Sequence, residues 1–252
     1  MDLAREIYGS IVPTCLNRGV IGPAPSLTVY VMEKVPGITY IEASLRQLHC
    51  TPWQEQTVSD FARFFARSWQ HRLAESYHSE HLLTDLQHKL DTLLRQLPPR
   101  FTNVISKLRG ELPMLFAPTY PLVLSHDDLC EMNIIVYPEE GGISGIVDWA
   151  DAKTLPFGMS LWGFLNMLGT KDSLGWHYHE NSNHLESLFW ETFYRNTGDI
   201  SSDHRRAIRV AERVGLVLRY GFTWDDGIRE RPVTEQDSSL RYLDAFLPRL
   251  EH

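Results

Sequence analysis

The stretch LVLSHDDLCEMNIIVYPEEGGISGIVDW, residues 122–149, restricts the possible folds more than any other in the chain. A short apolar run leads into a polar loop. Two β-branched runs, NIIVY and ISGIVDW, then flank PEEGG, whose glycines supply a hairpin turn. A chain built around this segment carries a small β-hairpin that the rest must pack against.

Most of the rest has helical period. Thr51 has the character of a helix N-cap, with Pro52 at the first helical position and Gln54 at the capping-box position. From there Val58, Phe61, Phe65, Trp69, Leu73 and Tyr77 recur every three or four residues and predict one apolar stripe. Leu82, Leu86, Leu90, Leu93, Leu94 and Leu97 do the same near 80–97, and Pro98-Pro99 stops that helix. Further helices are expected at 2–12, 100–109, 160–168, 183–195, 202–220 and 237–248. The run LTVYVMEKV predicts a strand ended by Pro36-Gly37, after a Pro/Gly-rich connection NRGVIGPAPS. The expected fold class is α+β, a helix-rich body bearing a hairpin and an N-terminal strand.

Composition narrows the setting. The chain has 252 residues, enough to bury about three quarters of its unfolded surface. Hydrophobic residues at 43% and charged residues at 22% are ordinary for a globular protein. A net charge of −8 argues against nucleic acid or an anionic membrane as main partner, without excluding a locally basic site. No apolar run approaches the roughly 20 residues of a membrane span, and MDLAREIYGSIVP does not read as a secretory signal. Cys15, Cys50 and Cys130 are scattered without CxxC spacing, which points to reduced thiols and a cytoplasmic setting.

The loop and hairpin also bear chemistry. Asp128 precedes Asn133 by the spacing Asp-x-x-x-x-Asn, and Asp148 follows at the end of the hairpin. Phosphoryl transfer has a use for such a set, because phosphate charge must be neutralised by hard divalent ions that prefer oxygen ligands. On that reading Asn133 and Asp148 hold metal, and Asp128 accepts a hydrogen bond from the acceptor hydroxyl. The hairpin returns Asn133 and Asp148 to neighbouring positions. His126 is expected to fix the loop by hydrogen bonding rather than to act as a base.

SHDDLCEMN followed by GIVDWADAKTLPFGMSLWGF resembles the aminoglycoside phosphotransferase and choline kinase-like superfamily, and most of all its fungal members. The family pattern His-Gly-Asp-x-x-x-x-Asn, then Ile-Asp-Trp, falls on His126, Asp127, Asp128, Asn133, Val147, Asp148 and Trp149. VYVMEKVPG resembles the hinge strand that meets the adenine, which implies nucleotide contacts at Met32, Glu33 and Val35. The resemblance covers roughly residues 1–170. It implies a protein-kinase-like fold, ATP with Mg²⁺, and phosphorylation of a small-molecule hydroxyl, with residues 1–40 a remnant of the N-terminal lobe and hinge and 41–252 the helical lobe. It also makes Trp224, Asp225 and Asp226 of YGFTWDDG candidates for contacting the acceptor, a cationic one included; the alternative is a helix C-terminus followed by an acidic turn.

Two departures keep a second possibility open. Neither G-x-G-x-x-G nor G-x-x-x-x-G-K-[ST] occurs, and Lys34 is the only lysine before residue 89. Glu6 has no lysine upstream to pair with. A degenerate or repurposed pseudokinase-like protein, binding a metabolite or promoting acid-base chemistry through Asp127, Asp128 and Asp148, would share the same loop. Asp127 replaces the family's glycine, a residue that often marks a tight or positive-φ backbone position; it reads either as an extra carboxylate beside the base or as a solvated loop residue. His177, His179 and His184 lack zinc spacing and read as a polar loop. Cys130 reads as a small packed thiol, Trp162 and Phe164 as core.

Overall fold

The computed structural model describes residues 1–46, 48, 50–73, 79–225 and 229–250. Helix α1 (Asp2–Tyr8) and a 3-10 turn lead to strands β1 (Cys15–Ile21) and β2 (Leu27–Met32), which pair antiparallel as a ribbon. The first half of the segment expected to be a Pro/Gly-rich connection is therefore strand. Residues 17–21 find partners at 27–30, and a bulge between Asn17 and Val20 absorbs Gly19 at φ 97°. Residues 33–37 then lead into β3 (Ile38–Thr39) and α2 (Tyr40–Leu45), whose N-cap Thr39 accepts from the Glu42 amide at 3.2 Å.

The helical body begins with α3 (Thr51–Gln70) and α4 (Ser79–Gln96). Thr51 is the first helical residue, and Cys50 stands at the N-cap with no side-chain cap. The expected capping box fails because Gln54 is buried and its Oε1 accepts from Asn181 instead, at 2.8 Å. Val58, Phe61 and Phe65 are buried as the stripe predicts, and Phe64 widens it. The stripe outlasts the helix: past Gln70 the Leu73 amide bonds the Leu122 carbonyl at 2.9 Å. Tyr77, Asp226, and His78, expected to face solvent, lie outside the described residues. Leu86, Leu90, Leu93 and Leu97 form the buried face of α4 and the turn after it. Helix α5 (Thr102–Glu111) follows.

Next come β4 (Leu122–Ser125), β5 (Ile134–Val136), β6 (Ile143–Ile146) and β7 (Lys153–Pro156). Strands β5 and β6 form the expected hairpin, β3 joins β5 to make three strands, and β4 pairs with β7. The remaining elements are α6 (Trp162–Leu165), the hairpin β8 (Gly169–Lys171) with β9 (Trp176–Tyr178), α7 (Ser182–Thr197), α8 (Ser202–Gly221), the hairpin β10 (Phe222–Asp225) with β11 (Arg229–Pro232), and α9 (Leu240–Arg249).

One aromatic core ties the helices to the strands. Phe65 of α3 meets Phe189 of α7 edge-on at 6.0 Å, and Phe189 stacks on Phe164 of α6 at 4.0 Å. Such pairs add about 0.5–1.5 kcal/mol each beyond area burial. Trp162 and Phe164 are both core. Among the described residues no helix is long and apolar enough to cross a membrane.

Candidate active site

The loop after β4 is built around His126, which is almost wholly buried. Its Nε2 lies 2.8 Å from the Val147 carbonyl, and its Nδ1 accepts from the Asp128 amide at 3.3 Å. A carbonyl only accepts and an amide only donates, so the neutral Nε2–H tautomer satisfies both contacts. Burial lowers the imidazole pKa, partly offset by the Val147 carbonyl. With both nitrogens engaged, the ring pins the loop to the end of the hairpin, at the residue just after β6. The edge of Trp149, 4.6 Å away, closes that side.

Two aspartates in this region have left-handed backbone: Asp127 and Asp148, each at φ 63°. Aspartate is one of the few residues that tolerates this region. Asp127, where the resemblance implies glycine, forms an ion pair with Lys153 of β7. Asp148 is exposed beyond β6.

Asp128 is held on both oxygens. The Asn133 amide donates to its carbonyl at 2.9 Å and to its Oδ2 at 3.0 Å, while Arg219 of α8 reaches its Oδ1 at 2.7 Å. The Val147 amide bonds the Asn133 carbonyl at 2.9 Å, which continues the β5–β6 ladder and sets Asp148 beside Asn133. Since the nitrogen of the Asn133 carboxamide faces Asp128, its oxygen is the end left for a ligand. A carboxamide oxygen and a carboxylate suit a hard divalent ion, though they are too few to enclose one. Among the described residues no three His, Cys, Asp or Glu side chains cluster to hold a metal. That partial set fits Mg²⁺, which keeps water and phosphate oxygens in its shell.

Close packing positions the loop from below. A Cβ at Gly163 of α6 would come within 2.6 Å of the Leu129 Cβ and 2.8 Å of its carbonyl oxygen. Only glycine lets α6 approach the loop this closely. Cys130 sits 4.0 Å from the Asp128 carboxylate, and burial raises its pKa, so the thiol stays protonated at neutral pH.

The other expected positions spread out. At the end of β2 and beyond it, Met32 is half exposed, the Glu33 amide bonds the Thr14 carbonyl at 3.0 Å, and Val35 packs against Gly145 of β6. Glu6 and Lys34 are exposed. Trp224 and Asp225 lie in a hairpin rather than an acidic turn after a helix, because β10 finds a partner in β11. Trp224 is exposed, and Asp225 is committed to Arg231 at 2.8 Å. The three histidines diverge: His177 meets Asp172 at 2.9 Å, His184 meets Glu55 at 2.6 Å, and the His179 amide bonds Leu168. Arg219 and Lys153 are absent from the sequence reading. No local pattern marks either one, since each acquires its aspartate partner only through the tertiary fold.

A strand, a pinned loop and a hairpin bearing carboxylate, carboxamide and carboxylate on a helical body define a protein-kinase-like α+β protein. The chain belongs to the phosphotransferase enzyme family, whose model matches residues 11–179. Solved structures share the fold. One is the GDP complex of an aminoglycoside 2'-phosphotransferase, with TM-score 0.59 and 14% identity, covering 99% of this chain and 79% of that one. Another is an aminoglycoside phosphotransferase from Streptomyces rimosus in complex with ADP and streptomycin, with TM-score 0.54 and 15% identity, covering 89% and 80%. A macrolide 2'-phosphotransferase follows at TM-score 0.52 and 14% identity, covering 87% and 69%. No curated protein sequence matches the chain.

Proposed function

We propose that this protein transfers a phosphoryl group from ATP to a hydroxyl of a small molecule. The observation that carries the reading is the grip of Asn133 on Asp128, with Asp148 set alongside by the Val147–Asn133 backbone bond. Asp128 is the group that receives the acceptor's hydrogen bond. As the hydroxyl oxygen bonds to phosphorus and the bond to the leaving nucleotide oxygen breaks, the hydroxyl proton passes to the Asp128 carboxylate. Asn133 keeps that carboxylate aimed, and His126 keeps the loop in place. Asn133 and Asp148 are the magnesium ligands; the bound ion supplies neutralisation of phosphate charge. The hinge at Met32, Glu33 and Val35 offers its backbone to the nucleotide base, with residues 1–40 as small lobe and hinge and 41–252 as helical lobe. Three unpaired cysteines support a cytoplasmic setting.

The test is a thermal melt with nucleotide, followed by transfer of labelled γ-phosphate. A ligand at a hundred times its Kd adds about 2.7 kcal/mol of stability. ATP with Mg²⁺ should raise the melting temperature, and Asp148→Ala should remove the Mg²⁺-dependent part of that rise. Asp128→Asn should abolish transfer while leaving the nucleotide shift intact. No shift at millimolar ATP would sink this reading and leave a metabolite-binding protein without phosphoryl transfer.

A further inference from the structure

Strands β1 and β2 stand apart from the rest of the fold. Among the described residues their close contacts are with each other, and no helix or further strand packs substantially on either face. A two-stranded ribbon left alone in water is marginally stable at best, and holds better once an apolar face is covered. Half of the large apolar side chains exposed among the described residues belong to these two strands.

Register decides where those side chains point. Leu16 pairs with Val31 and Ile21 with Leu27, and paired residues share a face. Val29 lies two residues from both Leu27 and Val31, so it joins them. The bulge between Asn17 and Val20 matters here: without its extra residue Ile21 would turn to the other side. One face is thus aliphatic throughout, and four of its members, Leu16, Ile21, Leu27 and Val31, are 49–68% exposed. The opposite face is broken by Asn17 and Thr28.

We infer that this aliphatic face is covered by the same face of a second copy of the chain, the two ribbons packing face to face about a two-fold axis. Charge favours that occupant. Between residues 15 and 32 the only charged side chain is Arg18, so an anionic membrane or a charged partner finds little to hold. Two chains of formal charge −8 repel, and a neutral, self-complementary surface is where they can meet. Area sets the strength. Side chains of this kind offer about 100 Å² apiece, so five of them on each copy bring roughly 900 Å² to the contact, close to the roughly 1,000 Å² that a specific interface clears. The exposed turn 22–26 can add its rim. An interface of that size gives a dimer that forms reversibly with concentration, not an obligate one.

Sedimentation equilibrium of the full chain, without nucleotide, tests this over a concentration range reaching about 0.2 mM. The mass should rise from one chain toward two and stop there, as a closed two-fold contact requires. Leu27→Lys enters such an interface twice and should raise the dissociation constant at least tenfold. Leu27 is already exposed in the single chain, so the same variant should melt within about 2 °C of wild type in dilute solution. Thr28→Lys, on the opposite face, should associate as wild type does. A single-chain mass at every concentration, growth beyond two chains, a Leu27→Lys dimer as tight as wild type, or equal loss in Thr28→Lys would each overturn the inference. Association needs no ATP, so a chain that stays single yet binds ATP leaves the phosphotransfer reading standing.

Discussion

Replacing Asn133 tests the centre of the site. The side chain is buried, and its amide makes two bonds, one to a backbone carbonyl at 2.9 Å and one to a carboxylate at 3.0 Å. A neutral hydrogen bond contributes about 1 kcal/mol and a charged one about 1.5–3. The Asp128 side chain is 27% exposed, so the lower part of the second range applies. Asn133→Ala should therefore cost about 2–3 kcal/mol. In a chain of this size that corresponds to a melting temperature lower by about 5–10 °C. Asn133→Asp sharpens the test, because it keeps shape and oxygen but replaces the donor with a charge facing Asp128. Without divalent cation at neutral pH it should be at least as destabilising as alanine. It should recover as the pH falls far enough for the two carboxylates to share a proton. Urea unfolding followed by tryptophan fluorescence reads both. An Asn133→Asp variant within about 0.5 kcal/mol of wild type at neutral pH would show that this amide does not hold the loop.

Other consequences follow from neighbouring residues. Burial holds His126 below its ordinary 6.5, so the unfolded chain binds that proton first as the medium acidifies. Its contribution to stability is complete above pH 6.5 and is lost as pH falls through the folded-state value; His126→Asn should flatten urea-derived stability over that window. Gly163→Ala, which brings a Cβ to 2.6 Å from Leu129, should cost about 1–3 kcal/mol and lower transfer activity with it. Gly110→Ala on α5, where nothing lies within 4 Å, should instead gain about 0.5–1 kcal/mol in the same melts.

What the sequence displays is whatever is carried by near neighbours. The leucines of α4 and the phenylalanines of α3 repeat at helical period, so their buried faces are visible without coordinates. The hairpin and the Asp128–Asn133 spacing are equally local, and the glycine that the resemblance places at Asp127 marks a tight or positive-φ position, found here at φ 63°. The misses are elements that need distant partners. Residues 17–21 look like a linker until β2 lies beside them, and Phe222–Asp225 look like a helix tail until β11 returns. Gln54 has the identity of a capping residue, but Asn181 competes for its oxygen. Arg219 is the clearest case. It is one of five arginines on an amphipathic helix, and only tertiary packing singles it out by bringing it to Asp128.

Tyr8 ends helix α1 and is buried. Its hydroxyl donates to the Leu124 carbonyl at 2.5 Å, and its ring stacks on Phe64 at 4.4 Å and leans on Trp149 at 5.1 Å, the same indole that abuts His126. A rivet of three rings thus runs from α1 to the imidazole beneath the reactive loop. Trimming the first turns would remove these contacts and loosen the His126 loop from a distance. The first helix and the His126 loop, more than a hundred residues apart in sequence, thus form one mechanical unit.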